Sequence, residues 1–250
     1  IISLVIGYAT GGLLVFILHK IRSLRWQQSL IFRKVRCRRE DFSFADIGAM
    51  VMVSAAGQAS PIIDRAIASG LAEGSVAAYN YASTVISFPA AVISSAIGTA
   101  LFPRLIELVI QEKRRKAYKE IMQWAIKLSA LMLTIAVFLI LVRKQIVSAL
   151  FMRGNFGPDA FQMTASALRV LPLLLVANAA SILSTRFLLS ISQASTLAII
   201  AVSFLPIRIF LAWWLSSMHG IAGLASASVL VAAAATMIRL WKGNTATQSA

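Results

Sequence analysis

Arg208 makes the greatest chemical demand of any residue in this chain. It lies near the middle of an apolar run from about Ser195 to Ser217. An ionisable side chain at that depth in a bilayer costs at least ~2.5–3.5 kcal/mol, so its retention points to a function. Arginine carries a planar fork of N–H donors that matches phosphate and carboxylate oxygens two at a time. A second apolar run holds Asp64 and Arg65 toward its outer end. Neighbours on a helix point about 100° apart, so these two do not pair with each other. Arg186 and Arg169 fall in a third such run, Lys127 in a fourth, and Glu73, Asn80 and Asn178 add uncharged or peripheral polarity. Acids are few within the apolar runs, which argues against a proton relay or a cation site. The set Arg208, Arg65, Arg186, Asp64 and Asn80 is therefore expected to bind an anionic headgroup. Arg208 has no obvious acidic partner in the sequence, and its rival role is a bond to backbone carbonyls beside Pro206. Arg169, Arg186 and Lys127 have a second role open to them, which is snorkelling to lipid headgroups.

The remaining residue types exclude other chemistries. The sequence has no phosphate-binding glycine loop, no GxSxG, no HExxH and no carboxylate pair at a useful spacing. The expectation is a protein that is not an enzyme and holds no cofactor or metal. His19 and His219 fall at the ends of apolar runs on opposite faces, so they share no metal. Cys37 is the single cysteine, which rules out an internal disulfide.

These charged groups must be positioned by helices. The hydrophobic fraction is 59%, the charged fraction 13% and the mean hydropathy +0.81; a soluble domain carries about 25% charged residues. Seven apolar segments follow one another: Ile1 to Leu18, about Phe44 to Leu71, Ser75 to Leu101, Ile121 to Val142, Ala160 to Ser190, Ser195 to Ser217 and Ile221 to Leu240. Crossing a ~30 Å hydrocarbon core takes about 20 apolar residues. In lipid every backbone amide must be satisfied within its own segment, so continuous apolar runs mean helices. The fold class expected is an all-α integral membrane protein of about seven transmembrane helices. Pro89, Pro172 and Pro206 fall inside segments and mark hinges. Gly7 and Gly11, the pair Ser94 and Ser95, and the run from Ala222 to Ala235 are small enough for close helix contact.

The net charge of +15 is distributed by side. Lys20 to Arg39 carries eight Lys and Arg, Arg104 to Lys119 six, and the C-terminal flank Arg239 and Lys242; the opposite side holds only Arg143, Lys144 and Arg153. Sixteen against three places the basic side, and the C-terminus, in the cytoplasm. Basic runs that abut spans meet anionic lipid headgroups, not nucleic acid. Arg104 to Lys119 is expected to be an amphipathic helix on the membrane surface, and residues 243–250 a disordered tail. Cys37 is expected to be cytoplasmic. In intact cells it should resist a membrane-impermeant maleimide and react after permeabilisation; labelling of intact cells overturns the topology.

Four stretches carry a family resemblance. PIIDRAIASGLAEGSVAAYNYA (Pro61 to Ala82), FPAAVISSAIGTALFPRL (Phe88 to Leu105), LFMRGNFGPDA (Leu150 to Ala160) and GIAGLASASVL (Gly220 to Leu230) occur in this order. They resemble, in order and spacing, the C-terminal lobe of MurJ/MviN-type lipid II flippases, over roughly residues 45 to 240. The resemblance implies the multidrug/oligosaccharidyl-lipid/polysaccharide exporter fold, with two six-helix lobes around a central cavity and alternating access. Residues 1–19 would be the last helix of a first lobe, 20–44 a basic cytoplasmic loop, 45–242 a six-helix C-terminal lobe and 243–250 a cytoplasmic tail. The implied partners are an anionic polyprenyl-pyrophosphate-linked saccharide, membrane lipids and a missing N-terminal lobe. The implied place is the bacterial inner membrane, in peptidoglycan or polysaccharide biosynthesis for the cell wall. The chain is divergent. Ser83 and Thr84 stand where family members commonly carry Asp-Arg, and FLLSISQASTLA (Phe187 to Ala198) lacks the family's Asp-Thr-x-Thr-Pro. A polysaccharide intermediate related to lipid II therefore stands beside lipid II as substrate. Two other readings are a drug or metabolite exporter of the same fold, and a non-transporting truncated scaffold.

Overall fold

A computed structural model describes residues 44–97, 101–111, 113–151 and 157–248. The first apolar segment, the basic loop from Lys20 to Arg39, His19 and Cys37 lie outside the described residues. So do residues 152–156 of the stretch Leu150 to Ala160.

Among the described residues every regular element is helical. In chain order these are α1 (Phe44–Ser69), α2 (Ser75–Ala96), α3 (Phe102–Ile110), α4 (Arg114–Leu141), α5 (Arg143–Phe151), α6 (Pro158–Ala167), a 3₁₀ turn (Leu171–Leu173), α7 (Leu174–Ser190) and α8 (Ala194–Gln248). Five helical stretches are long and apolar enough to cross a membrane: α1, α2, α4, α6 joined to α7, and α8. Large apolar side chains face outward along them. Phe88 is 76% exposed, Leu141 71% and Ile199 67%. Such a surface is stable only against lipid or another chain. The protein is an all-α membrane protein, and the expected seventh helix rests on residues outside those described.

The 55-residue α8 is folded in two. In a straight helix Arg208 and Ser228 would stand about 30 Å apart, at 1.5 Å per residue. Instead Arg208 Nη2 donates to Ser228 Oγ over 3.1 Å. The chain reverses at Gly220, whose φ of 56° and ψ of −134° are open to glycine alone among the residue types. Gly223 then passes directly over the backbone of Leu215, where a Cβ would collide with the carbonyl. The two glycines of Gly-x-x-Gly therefore serve one hairpin. Its arms match the sixth and seventh apolar segments.

Pro172 splits the long fifth segment. It has no N–H to continue the ladder, so α6 stops at Ala167 and α7 starts after the 3₁₀ turn. Pro61, Pro89 and Pro206 lie within α1, α2 and α8, which run on through them. The core gathers Leu168, Leu171, Leu175, Leu183 and Phe187 against Ala212, Leu224, Ala225 and Ala227. Alanines on the second arm of α8 let the helices approach closely.

Two expectations are corrected. The amphipathic helix does not reach Lys119. It is the nine-residue α3, with Leu105 and Leu108 buried and Ile106 exposed. Arg114 to Lys119 instead form the first turns of the membrane-length α4. Residues 243–248 of the expected tail are not disordered, because α8 continues to Gln248. Gly243 is buried beside the rings of Tyr118 and Phe187, and the Tyr118 hydroxyl donates to the Leu240 carbonyl over 3.0 Å. Packing against α4 and α7 orders a segment whose polar composition reads as unstructured.

Candidate functional site

Five helical faces converge on one cavity of about 480 Å³. Each contributes residues three and four apart, which is one face of a helix. α1 turns Val53, Gly57, Ser60 and Asp64 inward, α2 Tyr79, Ser83 and Ile86, and α7 Leu174, Asn178 and Ser181. The first arm of α8 presents Ala201, Phe204 and Arg208, and the second arm Ala232, Ala235 and Arg239. The small residues on α1 and the second arm leave the space that larger ones would fill. The volume lies within the range of about 300–1,000 Å³ typical of ligand pockets.

One end of the cavity holds a compact charge cluster. Asp64 is only 4% exposed. Its Oδ2 accepts from the Tyr79 hydroxyl over 2.7 Å and from Arg208 Nη2 over 2.6 Å. Ser228 Oγ lies 3.4 Å from the same oxygen and accepts from Arg208 at 3.1 Å. Asp64 Oδ1 and Arg208 Nε are buried without a hydrogen-bond partner. The cluster joins α1, α2 and both arms of α8, and its one positive and one negative charge cancel.

The sequence-predicted residues divide. Arg208, Asp64, Arg65 and Asn80 all line the cavity. Arg65 does not pair with Asp64; its Nε donates to Asn80 Oδ1 over 3.1 Å. Arg186 lies half-buried on α7 and is not among the lining residues. Arg169 is exposed beside Arg143 and Lys144, and Lys127 is exposed over the Trp124 ring at 5.2 Å. Of the expected hinges, Pro89, Pro172 and Pro206 all stay off the lining.

The expectation that Arg208 lacks an acidic partner is corrected by Asp64. They are 144 residues apart, so no local spacing announces the pair. Nor does Arg208 bond a carbonyl beside Pro206, since its hydrogen bonds go to Asp64 and Ser228. Sequence reasoning also missed Tyr79, Ser181, Ser228 and Arg239. Arg239 was counted with the cytoplasmic flank, yet its Nη1 donates to Ser181 Oγ. A signal was present: Ser228, Ala232, Ala235 and Arg239 recur at four, three and four residues, a small-residue face closed by a cation.

Among the described residues no group of three or more His, Cys, Asp or Glu gathers to hold a metal ion.

The family described as Lipid II flippase MurJ matches residues 1–248. A probable lipid II flippase MurJ of Bdellovibrio bacteriovorus is 27% identical over 175 residues, covering 70% of this chain and 34% of that protein. One from Helicobacter pylori is 25% identical over 177 residues, covering 64% of this chain and 38% of that protein. The lipid II flippase MurJ of Burkholderia cenocepacia is 31% identical over 112 residues, covering 44% of this chain and 22% of that protein. The chain thus spans about a third of the length of the first two relatives.

Proposed function

Because the chain belongs to the MurJ lipid II flippase family, we propose that it forms the C-terminal lobe of a bacterial inner-membrane flippase. Its substrate is a polyprenyl-pyrophosphate-linked saccharide, lipid II or a related polysaccharide intermediate, moved from the cytoplasmic to the outer leaflet. The observation that carries this reading is a cavity that sets Asp64, Arg65, Asn80, Arg208 and Arg239 among apolar walls, on helices whose outer faces are apolar. A translocated amphiphile needs such a cavity for its headgroup while its tail stays in lipid. About 480 Å³ suits a headgroup fragment and not the whole molecule.

In this reading Arg65 and Asn80 meet hydroxyl oxygens of the saccharide headgroup. The Asp64–Arg208 pair acts as a clamp that fixes the cavity wall, in place of the ligand role expected for Arg208. A second lobe closes the cavity from the facing side, and rocking of the lobes gives alternating access. Pro172, where the helix is interrupted, and Pro89 and Pro206, within theirs, mark the bending points. The C-terminus lies in the cytoplasm, from the excess of Lys and Arg on its side. A cationic drug fits the cavity less well, because its one lining carboxylate, Asp64, is already paired.

Flipping of a fluorescent polyprenyl-pyrophosphate saccharide in proteoliposomes tests this. Two preparations are compared: the 250 residues alone, and the same residues preceded by a first lobe. Flipping by the second only is expected. Equal flipping by both refutes the two-lobe mechanism, and flipping by neither refutes the flippase reading.

A further inference from the structure

Three arginines line the cavity, and two of them, Arg208 and Arg239, are largely withdrawn from solvent in different electrostatic states. Arg208 is compensated by Asp64 at 2.6 Å. Arg239 has no carboxylate partner among the described residues. Its Nη1 donates to the neutral Ser181 hydroxyl, and its Nε is buried with no hydrogen-bond partner. A guanidinium offers five N–H donors, and Ser181 occupies one. A charge withdrawn from water with so little compensation is costly unless a counter-ion completes it. Arg65 does not have this property, because it is exposed to solvent as well as bonded to Asn80.

The two arginines serve separate places. On the second arm of α8, Ser228 of the charge cluster and Arg239 are eleven residues apart, about 16 Å along the helix. One phosphate or pyrophosphate group cannot span both. The protein surface also biases anions toward the Arg239 end. Tyr118 docks the start of α4 onto Leu240. That start carries Arg114, Arg115, Lys116 and Lys119, all exposed. Clustered charge of one sign beside a low-dielectric cleft concentrates ions of the opposite sign there. Glu120, the nearest acid in sequence on α4, lines a different crevice with Leu105 and Trp124.

We infer that Arg239 and Ser181 form an anion-recognition subsite at the end of the cavity remote from the Asp64–Arg208 pair, and that its ligand is a phosphate or pyrophosphate group. This deepens the flippase reading and rests on it for the identity of the lipid carrier. Arg239 takes the anion through its unfilled donors, and the Ser181 hydroxyl both orients the guanidinium and adds a donor by rotating toward the ligand. Charge-assisted bonds of this kind are about twice as strong as neutral ones.

The test uses the 250-residue chain in nanodiscs of phosphatidylcholine, which carries no net charge to compete. Farnesyl pyrophosphate, inorganic pyrophosphate and farnesol are titrated and binding is followed by thermophoresis, with the melting temperature of every variant recorded. The wild type is expected to bind both pyrophosphate probes and not farnesol. Arg239→Gln should weaken both by about tenfold or more, Ser181→Ala by less, and Arg239→Lys should restore part of the loss. Lys127→Gln, which removes an exposed cation off the cavity, should retain binding. Tighter binding of farnesyl pyrophosphate assigns the site to a lipid headgroup, and equal binding assigns it to a free anion; either supports the subsite. Wild-type affinity in a folded Arg239→Gln protein overturns it, as does failure of the wild type to bind either pyrophosphate probe. Those results leave the flipping comparison standing, and a negative flipping comparison leaves pyrophosphate binding at Arg239 standing.

Discussion

Asp64→Ala is expected to destabilise the protein by about 3–5 kcal/mol, the cost of leaving a buried charge without its partner. Asp64 and Arg208 side chains are 5% and 11% exposed, so water cannot take over. The substitution removes the acceptor for Tyr79 as well as for Arg208. Unfolding in detergent mixtures, followed by circular dichroism, measures the effect. Replacing both partners, as in Asp64→Asn/Arg208→Gln, should recover most of the loss, because paired neutral groups need no counter-charge. A loss under about 1 kcal/mol for Asp64→Ala would place the pair in the weak class of exposed ion pairs and remove its role as a clamp. A double variant no better than the single would show that the cost lies elsewhere, in the hydroxyl contacts of Tyr79 and Ser228.

Gly223→Val is expected to cost about 3 kcal/mol, at the top of the range for overpacking. The atom that its Cβ meets is a backbone carbonyl of Leu215. A carbonyl held within a helix cannot swing aside as a flexible side chain could. Gly220→Val acts at the same turn by another route. It forces a branched residue into a φ of 56° and ψ of −134°, a strain of about 1–3 kcal/mol. Both changes open the hairpin that brings Arg208 to Ser228, so reduced folded yield should accompany loss of the Asp64 ion pair. Wild-type stability in Gly223→Val would mean that the arms are not packed as closely as described.

The apolar segments are legible because a membrane imposes a rule on composition. A run without charges long enough to span must be helical. The two arms of the hairpin were legible as separate runs, Ser195 to Ser217 and Ile221 to Leu240. The divided fifth segment was partly legible through Pro172. The start of α4 and the end of α8 were not. Arg114 to Lys119 and residues 243 to 248 are polar, and composition alone assigns them to surface and tail. Tyr118, Phe187 and Gly243 hold those segments against the bundle, through contacts more than fifty residues apart in sequence.

The sequence by itself determined which residues are too costly to be idle. A charge inside an apolar run stands out whatever the fold, so Arg208, Asp64 and Arg65 were marked from composition alone, and with Asn80 they do line one cavity. Which charge pairs with which was decided only by tertiary structure. Asp64 and Arg208 meet because α1 packs against a hairpin formed 144 residues later. In the function proposed above, that meeting makes Arg208 half of a clamp with Asp64 in place of a ligand. It also left Arg239, which the positive-inside count had absorbed into a basic flank, as a half-buried arginine on the cavity wall with no carboxylate partner among the described residues. A charge count sums over a side of the membrane, whereas binding depends on whether each charge has a neighbour within a few ångströms. Only the packed helices set that distance.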